Sequence, residues 1–162
     1  MICIIDFDRT FMLNDFFLEA FFRKLLGQPF YIARYFLTSK KNILELKRSL
    51  LDGYQNKYDL DLLINPSVKE WIQNNRSEYE KMILVSASPD FFVKKLLAEY
   101  SFFDAIHGSS DINLKGKAKL DFIIQHYGNQ FDYMGDSRAD EPIFAAATRA
   151  YKVTGKNITE LA

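Results

Sequence analysis

The sequence predicts an α/β fold: a Rossmann-like parallel sheet flanked by helices, with a small α-helical cap inserted after the first strand. Three observations carry this reading. Ile2 to Ile5 are four consecutive apolar residues, the pattern of a strand buried on both faces. From residue 66 onward, strand-length apolar runs alternate with helix-length periodic segments, which implies parallel strands joined by right-handed crossovers. Between them, residues 11–65 hold helical periodicity and no convincing buried strand. The expected division is therefore 1–10 and 66–162 for the α/β core and 11–65 for the cap.

The elements follow in order. Phe16, Phe17, Ala20, Phe21 and Leu25 describe an amphipathic helix, capped by Asn14 and stopped by Gly27. Tyr31 to Leu37 is a short aromatic segment. Ile43, Leu44, Leu46, Lys47, Leu50 and Leu51 predict a further helix that ends at Asp52-Gly53. Leu60 to Ile64 forms one more turn, and Asn65-Pro66 punctuates the end of the lobe. Pro66 suits the first turn of a helix running to about Asn75. Met82 to Val85 is the second strand. Pro89 opens the next helix, with Ser88 as its N-cap. Phe103 to His107 is a third strand, and Gly116 to His126 a helix stopped by Gly128. Phe131 to Met134 is a fourth strand. A helix from Glu141 to about Thr148 leads to a last strand near Ala150 to Val153.

Composition bounds the function. A chain of 162 residues with 48% apolar content suits one compact domain, or a core with a small lobe. Lys plus Arg equals Asp plus Glu at 21 each, so there is no bulk attraction to nucleic acid, which is not an expected partner. The single cysteine, Cys3, cannot form an internal disulfide. It reads as a small buried hydrophobe in a reducing, cytoplasmic setting. No apolar run approaches the roughly 20 residues of a membrane span. The start also lacks the layout of a signal peptide. His107 and His126 have no partner ligands at metal-site spacing, so zinc is not expected. His126 suits the negative end of its helix.

The chemistry collects at the strand ends. In an open α/β sheet the ligand crevice lies beyond the carboxyl ends of the strands. The first strand delivers Asp6 and Asp8 there, the second Ser86, and the fourth Asp136, with Asp140 four residues on. Lys115, Lys117 and Lys119 cluster at the start of a helix on the same rim. Two or three carboxylates with water suit Mg²⁺. The set suits phosphoryl transfer: a phosphomonoester is a dianion, and a bare carboxylate approaches it only when a cation removes the repulsion. A lysine and a hydroxyl hold the remaining oxygens. One carboxylate can then attack phosphorus while a second serves as acid and base.

These residues resemble the four motifs of the haloacid dehalogenase (HAD) superfamily in its phosphatase branch. Asp-Phe-Asp-Arg-Thr (Asp6 to Thr10) resembles the D-x-D-x-T motif, and Ile-Leu-Val-Ser (Ile83 to Ser86) the second. Gly-Lys-Ala-Lys (Gly116 to Lys119) resembles the third, and Gly-Asp-Ser-Arg-Ala-Asp (Gly135 to Asp140) the fourth. The resemblance covers most of the chain in the right order. It implies that Asp6 is the nucleophile and a Mg²⁺ ligand. Asp8 would be the general acid/base, with its backbone carbonyl on the metal. Ser86 and Lys119 would bind phosphate. Asp136 would be a further metal ligand, and Asp140 would orient metal-bound water or Lys119. The G-x-x-K spacing selects Lys119, with Lys117 next. The C-terminal half is similar to the HAD-like domains found with UbiA-type prenyltransferases. Arg9 departs from the pattern, which very often has Gly there.

The expected function is a Mg²⁺-dependent phosphatase acting on a phosphomonoester through an aspartyl-phosphate. Its alternatives are a phosphotransferase or mutase of the same chemistry, and a non-catalytic phosphate-binding or receiver-like module. Phe11, Phe16, Phe17, Phe21, Phe22, Phe30, Tyr31, Tyr35 and Phe36 are expected to form the cap core and its contact with the sheet. Between Phe11 and Arg48 there are seven Lys/Arg and three Asp/Glu, an excess of four positive charges. A basic, aromatic cap suits a small phosphorylated substrate with a greasy part. It would fit a lipid-linked phosphate and peripheral membrane or prenyltransferase association.

Overall fold

Every expected strand forms, and a further one joins the far edge. The computed structural model describes residues 1–38, 42–52, 54 and 60–161. β1 (Ile2–Ile5) pairs in parallel with both β2 (Lys81–Pro89) and β4 (Phe131–Gly135). β3 (Ala105–Ser109) extends the sheet beyond β2, and β5 (Ala150–Thr154) beyond β4, both in parallel. β6 (Asn157–Leu161) closes the β5 edge as an antiparallel hairpin partner. The resulting order is β3-β2-β1-β4-β5-β6. The chain builds outward from β1 on one side, then on the other. The crevice of such a sheet therefore opens where that order reverses, between β1 and β4.

Alternation along β1 divides the core. Ile4 joins Ile83, Val85, Phe131 and Tyr133 on one face. That face is covered by α6 (Lys117–Tyr127), through Ile123, and α7 (Glu141–Ala146), through Ile143. Cys3 and Ile5 join Met82, Leu84 and Met134 on the other. There α4 (Pro66–Asn75) contributes Val68 and Ile72, and α5 (Asp90–Leu96) contributes Phe92 and Val93. Cys3 is buried and unpaired, and burial pushes its thiol pKa far up, so it acts as a hydrophobe.

Among the described residues, the helical segment comprises α1 (Phe16–Gly27), α2 (Pro29–Thr38) and α3 (Ile43–Asp52), with a 3₁₀ turn at Leu60–Leu62. It leaves and returns at one point: Met12 bridges Ile64, Leu13 N–H donates to Leu63 O at 2.8 Å, and Asn65 N–H to Phe11 O at 2.8 Å. Phe16, Ala20, Ile32, Leu46, Leu50 and Leu51 are buried in the same cluster as Ile5 and Leu84, so the helices share one core with the sheet. The expected aromatic core holds in part. Phe16 stacks on Phe7 at 5.6 Å and meets Phe92 at 5.4 Å. Phe22 and Phe30, by contrast, are 54% and 87% exposed. They lie on the outer side of α1 and at the start of α2, away from the sheet. Gly53, expected as a helix stop, and the side chain of Phe36 lie outside the described residues.

Local chemistry corrects several boundaries. Asp15, not Asn14, caps α1, accepting from Leu18 N at 2.9 Å; Asn14 instead donates to Glu19 at 3.1 Å. β2 runs four residues past Val85 through a register shift against β3, and this carries Ser88 into the strand. Pro89 takes the cap position of α5 with no side-chain hydrogen bond, so Ser88 is not the cap. α7 ends at Ala146, two residues short of the expected Thr148. β6 was not expected because its exposed residues lack a buried face, and the turn into it is set by Gly155 at φ +61°.

Candidate active site

β1 ends by handing its chain to a wide turn, Phe7–Phe11, closed by Phe11 N–H to Asp6 O at 3.2 Å and Met12 N–H to Phe7 O at 2.9 Å. Asp-Phe-Asp keeps the alternation of the strand. Phe7 is buried against Phe16, so Asp6 and Asp8 face the opposite way, into a cleft of about 530 Å³. The cleft is lined by Asp6, Asp8, Lys119, Asp136 and Asp140 from the sheet side, and by Phe17, Leu18, Ile43 and Lys47 from α1 and α3.

Lys119 reaches the centre of the cleft because α6 starts at Gly116, whose φ of +57° and ψ of −127° suit only glycine. The lysine is 2% exposed and donates to Asp6 Oδ1 at 2.7 Å and to Tyr133 Oη at 3.2 Å, with Asp140 Oδ1 at 3.5 Å. Burial would discharge it, but the two facing carboxylates win and hold its pKa up. The other two candidates separate. Lys117 pairs with Asp121 on the exposed helix face at 2.8 Å, and Lys115 stands at the cleft wall.

Asp140 sits in the 3₁₀ turn Arg138–Asp140, just before α7. A capping box fixes it: Oδ2 accepts from Ser137 N at 3.2 Å and Ser137 Oγ at 2.9 Å. Gly135 makes this possible. A Cβ there would lie 2.7 Å from Tyr133 Cε1 and 2.9 Å from Asp140 Oδ2. Asp136 follows, with Arg9 Nη1 3.9 Å from its Oδ2.

Asp6, Asp136 and Asp140 offer oxygens that all lie within 4.8 Å of one another. That span is near the roughly 4.2 Å diameter of a Mg²⁺ shell. Three acids share one buried lysine and a distant, half-exposed arginine, so negative charge is left over. Burial pushes Asp6 up, with Asp140 adding to the push and Lys119 opposing it. Burial, with Asp6 and Asp140 adding and Arg9 and Lys119 opposing, pushes Asp136 up to about 6. This oxygen set fits a hard divalent cation, and the expected ligands Asp6, Asp136 and Asp140 converge. The side chain of Asp8 lies outside that cluster: its Oδ1 accepts from Phe16 N at 3.1 Å and its Oδ2 from Ser88 Oγ at 2.7 Å. Burial, with Asp15 adding, pushes Asp8 up to about 7.

The two serines of β2 lie side by side, and Ser88 stands in the cleft rather than at the helix start. Ser86 is fully buried and its Oγ accepts from Ser88 N at 2.9 Å. Ser88 lines the cleft and bonds Asp8. Lys47 and Tyr133 also belong to the site, and no motif in the sequence marks them. Lys47 donates to Ala87 O at 2.6 Å and to Asn113 Oδ1 at 3.4 Å. Burial pulls its pKa down, Asp8 opposes this, and Lys115 adds to it. The histidines are elsewhere. His107 faces Tyr127 Oη at 2.5 Å, and His126 closes its own helix on Phe122 O at 2.9 Å. No helix among the described residues is long and apolar enough to cross a membrane.

No protein-family model matches the sequence. The uncharacterized protein y4nM of Sinorhizobium fredii (strain NBRC 101917 / NGR234) is 28% identical over 151 residues, covering 93% of this chain and 29% of that protein. The chain thus spans less than a third of that relative. Among solved structures, a Bordetella pertussis Tohama I protein of unknown function matches with a TM-score of 0.66 at 12% identity, over 92% of this chain and 87% of that one. A HAD-superfamily hydrolase from Ehrlichia chaffeensis matches at TM-score 0.58 and 17% identity, over 94% and 87%. A phospho-aspartyl intermediate analogue of phosphoserine phosphatase matches at TM-score 0.56 and 18% identity, over 92% and 84%. The mixed α/β fold, a mostly parallel six-stranded sheet flanked by helices, is shared with these solved structures.

Proposed function

We propose that the protein is a Mg²⁺-dependent phosphatase that hydrolyses a phosphomonoester through Asp6. One observation carries this: Asp6, Asp136, Asp140 and Lys119 converge at the reversal point of the sheet, with Asp8 beside them. Mg²⁺, when bound by Asp6, Asp136, Asp140 and the Asp8 backbone carbonyl, would neutralise the carboxylates against a dianionic phosphoryl group.

The residues then divide the work. Lys119 and the Ser86 hydroxyl, which accepts from Ser88 N and keeps its own proton to donate, hold phosphoryl oxygens. An Asp6 oxygen attacks phosphorus, and the bond from phosphorus to the leaving oxygen breaks. Asp8 gives its proton to that oxygen; a pKa near 7 leaves it protonated in part of the population at neutral pH. Asp8 then takes a proton from water, which attacks phosphorus and releases phosphate from Asp6. Ser88 and Phe16 N hold Asp8 in place for both steps. The segment 11–65 acts as a cap, since α1 and α3 wall the cleft. Asp6→Asn should retain the fold and lose p-nitrophenyl phosphate turnover by about 10³-fold or more; turnover in Mg²⁺ buffer near the wild-type rate would refute the reading. Transfer to an alcohol instead of water would use the same residues, and product analysis with added acceptor alcohols separates the two. A persistent aspartyl-phosphate without turnover would favour a receiver-like module.

A lipid-linked substrate at a membrane surface is favoured by one observation. Phe22, Leu26 and Phe30 are 54%, 85% and 87% exposed on the cap, with Arg23 and Lys24 beside them. Vesicles containing anionic lipid should retain the protein, and Leu26→Glu with Phe30→Glu should release it; equal retention of both would remove this reading. The prenyltransferase association rests on the resemblance of the C-terminal half alone. Cytoplasmic placement rests on the unpaired, buried Cys3.

A further inference from the structure

Phosphoryl transfer as derived above leaves one buried cation of the cleft unused. Lys47 comes from α3 and is 8% exposed, yet it stands at the carboxyl end of β2. Its ammonium meets the Ala87 carbonyl at 2.6 Å, the Asn113 side-chain carbonyl at 3.4 Å and the Phe17 ring at 5.7 Å. All three are neutral. Among the described residues Lys47 makes no ion pair. The nearest acids, Asp8 and Asp15, act on it only through space: they accept from Ser88 Oγ, Phe16 N and Leu18 N, and neither forms an ion pair with it. A buried ammonium whose direct contacts are all neutral is held only by the field of those carboxylates, and an anion in contact with it would stabilise it further.

A second cation stands on the same wall. Lys115 follows Asn113 by two residues, its N–H donates to Asn113 O at 2.8 Å, and it lines the cleft. The two ammonium groups repel each other, and Asp6 is paired with Lys119 rather than with either of them. Lys119 and Ser86 already serve the transferred group. The cleft therefore carries more positive charge on its β2–β3 side than a single phosphoryl group uses.

We propose that Lys47, Asn113 and Lys115 form a subsite for a second anionic group on the substrate, a carboxylate or a further phosphate carried by the leaving group. This rests on the phosphatase reading and narrows it to phosphomonoesters whose leaving group carries a second anionic group. The subsite is shared between α3 and the loop before α6, so it forms only when the helical segment lies against the sheet.

The test is binding, measured by calorimetry on Asp6→Asn protein in Mg²⁺ with matched pairs. 3-Phosphoglycerate against glycerol 3-phosphate reads a carboxylate, and fructose 1,6-bisphosphate against fructose 6-phosphate reads a phosphate. At least one probe with the second anionic group should bind about tenfold tighter than its partner. Lys47→Gln should bring that pair to within about twofold, and Lys115→Gln should move it in the same direction by less. Equal binding within both pairs, or a preference that survives Lys47→Gln, overturns the proposal. If Lys47→Gln fails to fold by circular dichroism, exposed Lys115 decides: an unchanged preference in Lys115→Gln overturns it. The underlying reading is measured separately, as p-nitrophenyl phosphate turnover by wild-type protein. Absent turnover with an intact preference would sink the phosphatase and leave the anion subsite supported.

Discussion

Arg9 is the one described non-glycine residue in the left-handed region, at φ +57° and ψ 6°. The turn after β1 must reverse there so that Asp6 and Asp8 both face the cleft, and a Cβ in that conformation costs roughly 1–2 kcal/mol. The glycine that the D-x-D-x-T pattern very often carries at this place thus has a backbone reason. The contact with Asp136, at 3.9 Å and half exposed, offsets little of that cost. Arg9→Gly should therefore raise stability by about 0.5–1 kcal/mol in urea unfolding; a loss of stability would show that the guanidinium does more than the geometry indicates. Residues tied to strand ends were legible in the sequence: Asp6, Asp8, Asp136, Asp140 and Lys119 lie where their strands and helix deliver them. Ser88, Lys47 and Tyr133 were not. Ser88 depends on the register shift of β2, Lys47 on how α3 docks, and Tyr133 on which face of β4 lies under Lys119. None of these is encoded in local spacing.

Strands and helices were legible wherever burial imposes a period. β1, β2, β3, β4 and β5 all carry apolar runs, and α4 has its Asn65 cap and Pro66 start. β6 was illegible because an exposed edge hairpin needs no such run. Two elements hold the sheet at opposite ends of β4. At its carboxyl end Gly135 lets Asp140 and Tyr133 pack over the strand, so Gly135→Ala should cost about 1–3 kcal/mol by overpacking and weaken Mg²⁺ binding in a titration followed by thermal shift. At the other end Asp132 is fully buried. It accepts from Tyr79 Oη at 2.6 Å, Arg149 N at 3.0 Å and Arg149 Nε at 2.8 Å. Arg149 is partly exposed and can turn to water when its partner is lost; Asp132 cannot. Arg149→Met should thus cost about 3 kcal/mol, and more than Asp132→Asn, in equilibrium unfolding. The reverse order would mean that Asp132 is already carried by Tyr79 and the backbone.

The whole molecule concentrates buried acid at one point, and this sets how its stability depends on pH and on the cation. Without metal, burial holds Asp8 near 7 and Asp136 near 6, and Asp6 is also pushed up, against an ordinary value of 3.8. Between pH 4 and 7 the folded protein therefore binds protons that the unfolded chain has already released. The slope of unfolding free energy with pH follows the difference in protons bound, so these groups make stability fall as pH rises through that window. His107 acts the other way, since burial lowers its pKa from 6.5 and folding disfavours its charged form. It is one group against three. Lys119, held up by Asp6 and Asp140, contributes stability that is lost only at pH above its ordinary 10.5. The metal-free protein should accordingly unfold at a lower temperature at pH 8 than at pH 5.5. Mg²⁺ competes with protons for the same oxygens, so its stabilisation should be small at pH 5.5 and largest at pH 8, flattening or reversing the metal-free slope. Thermal unfolding at both values, with excess Mg²⁺ and with chelator, reads this directly. A Mg²⁺ increment that is the same at the two pH values, or larger at pH 5.5, would mean that Asp6, Asp136 and Asp140 do not hold the ion.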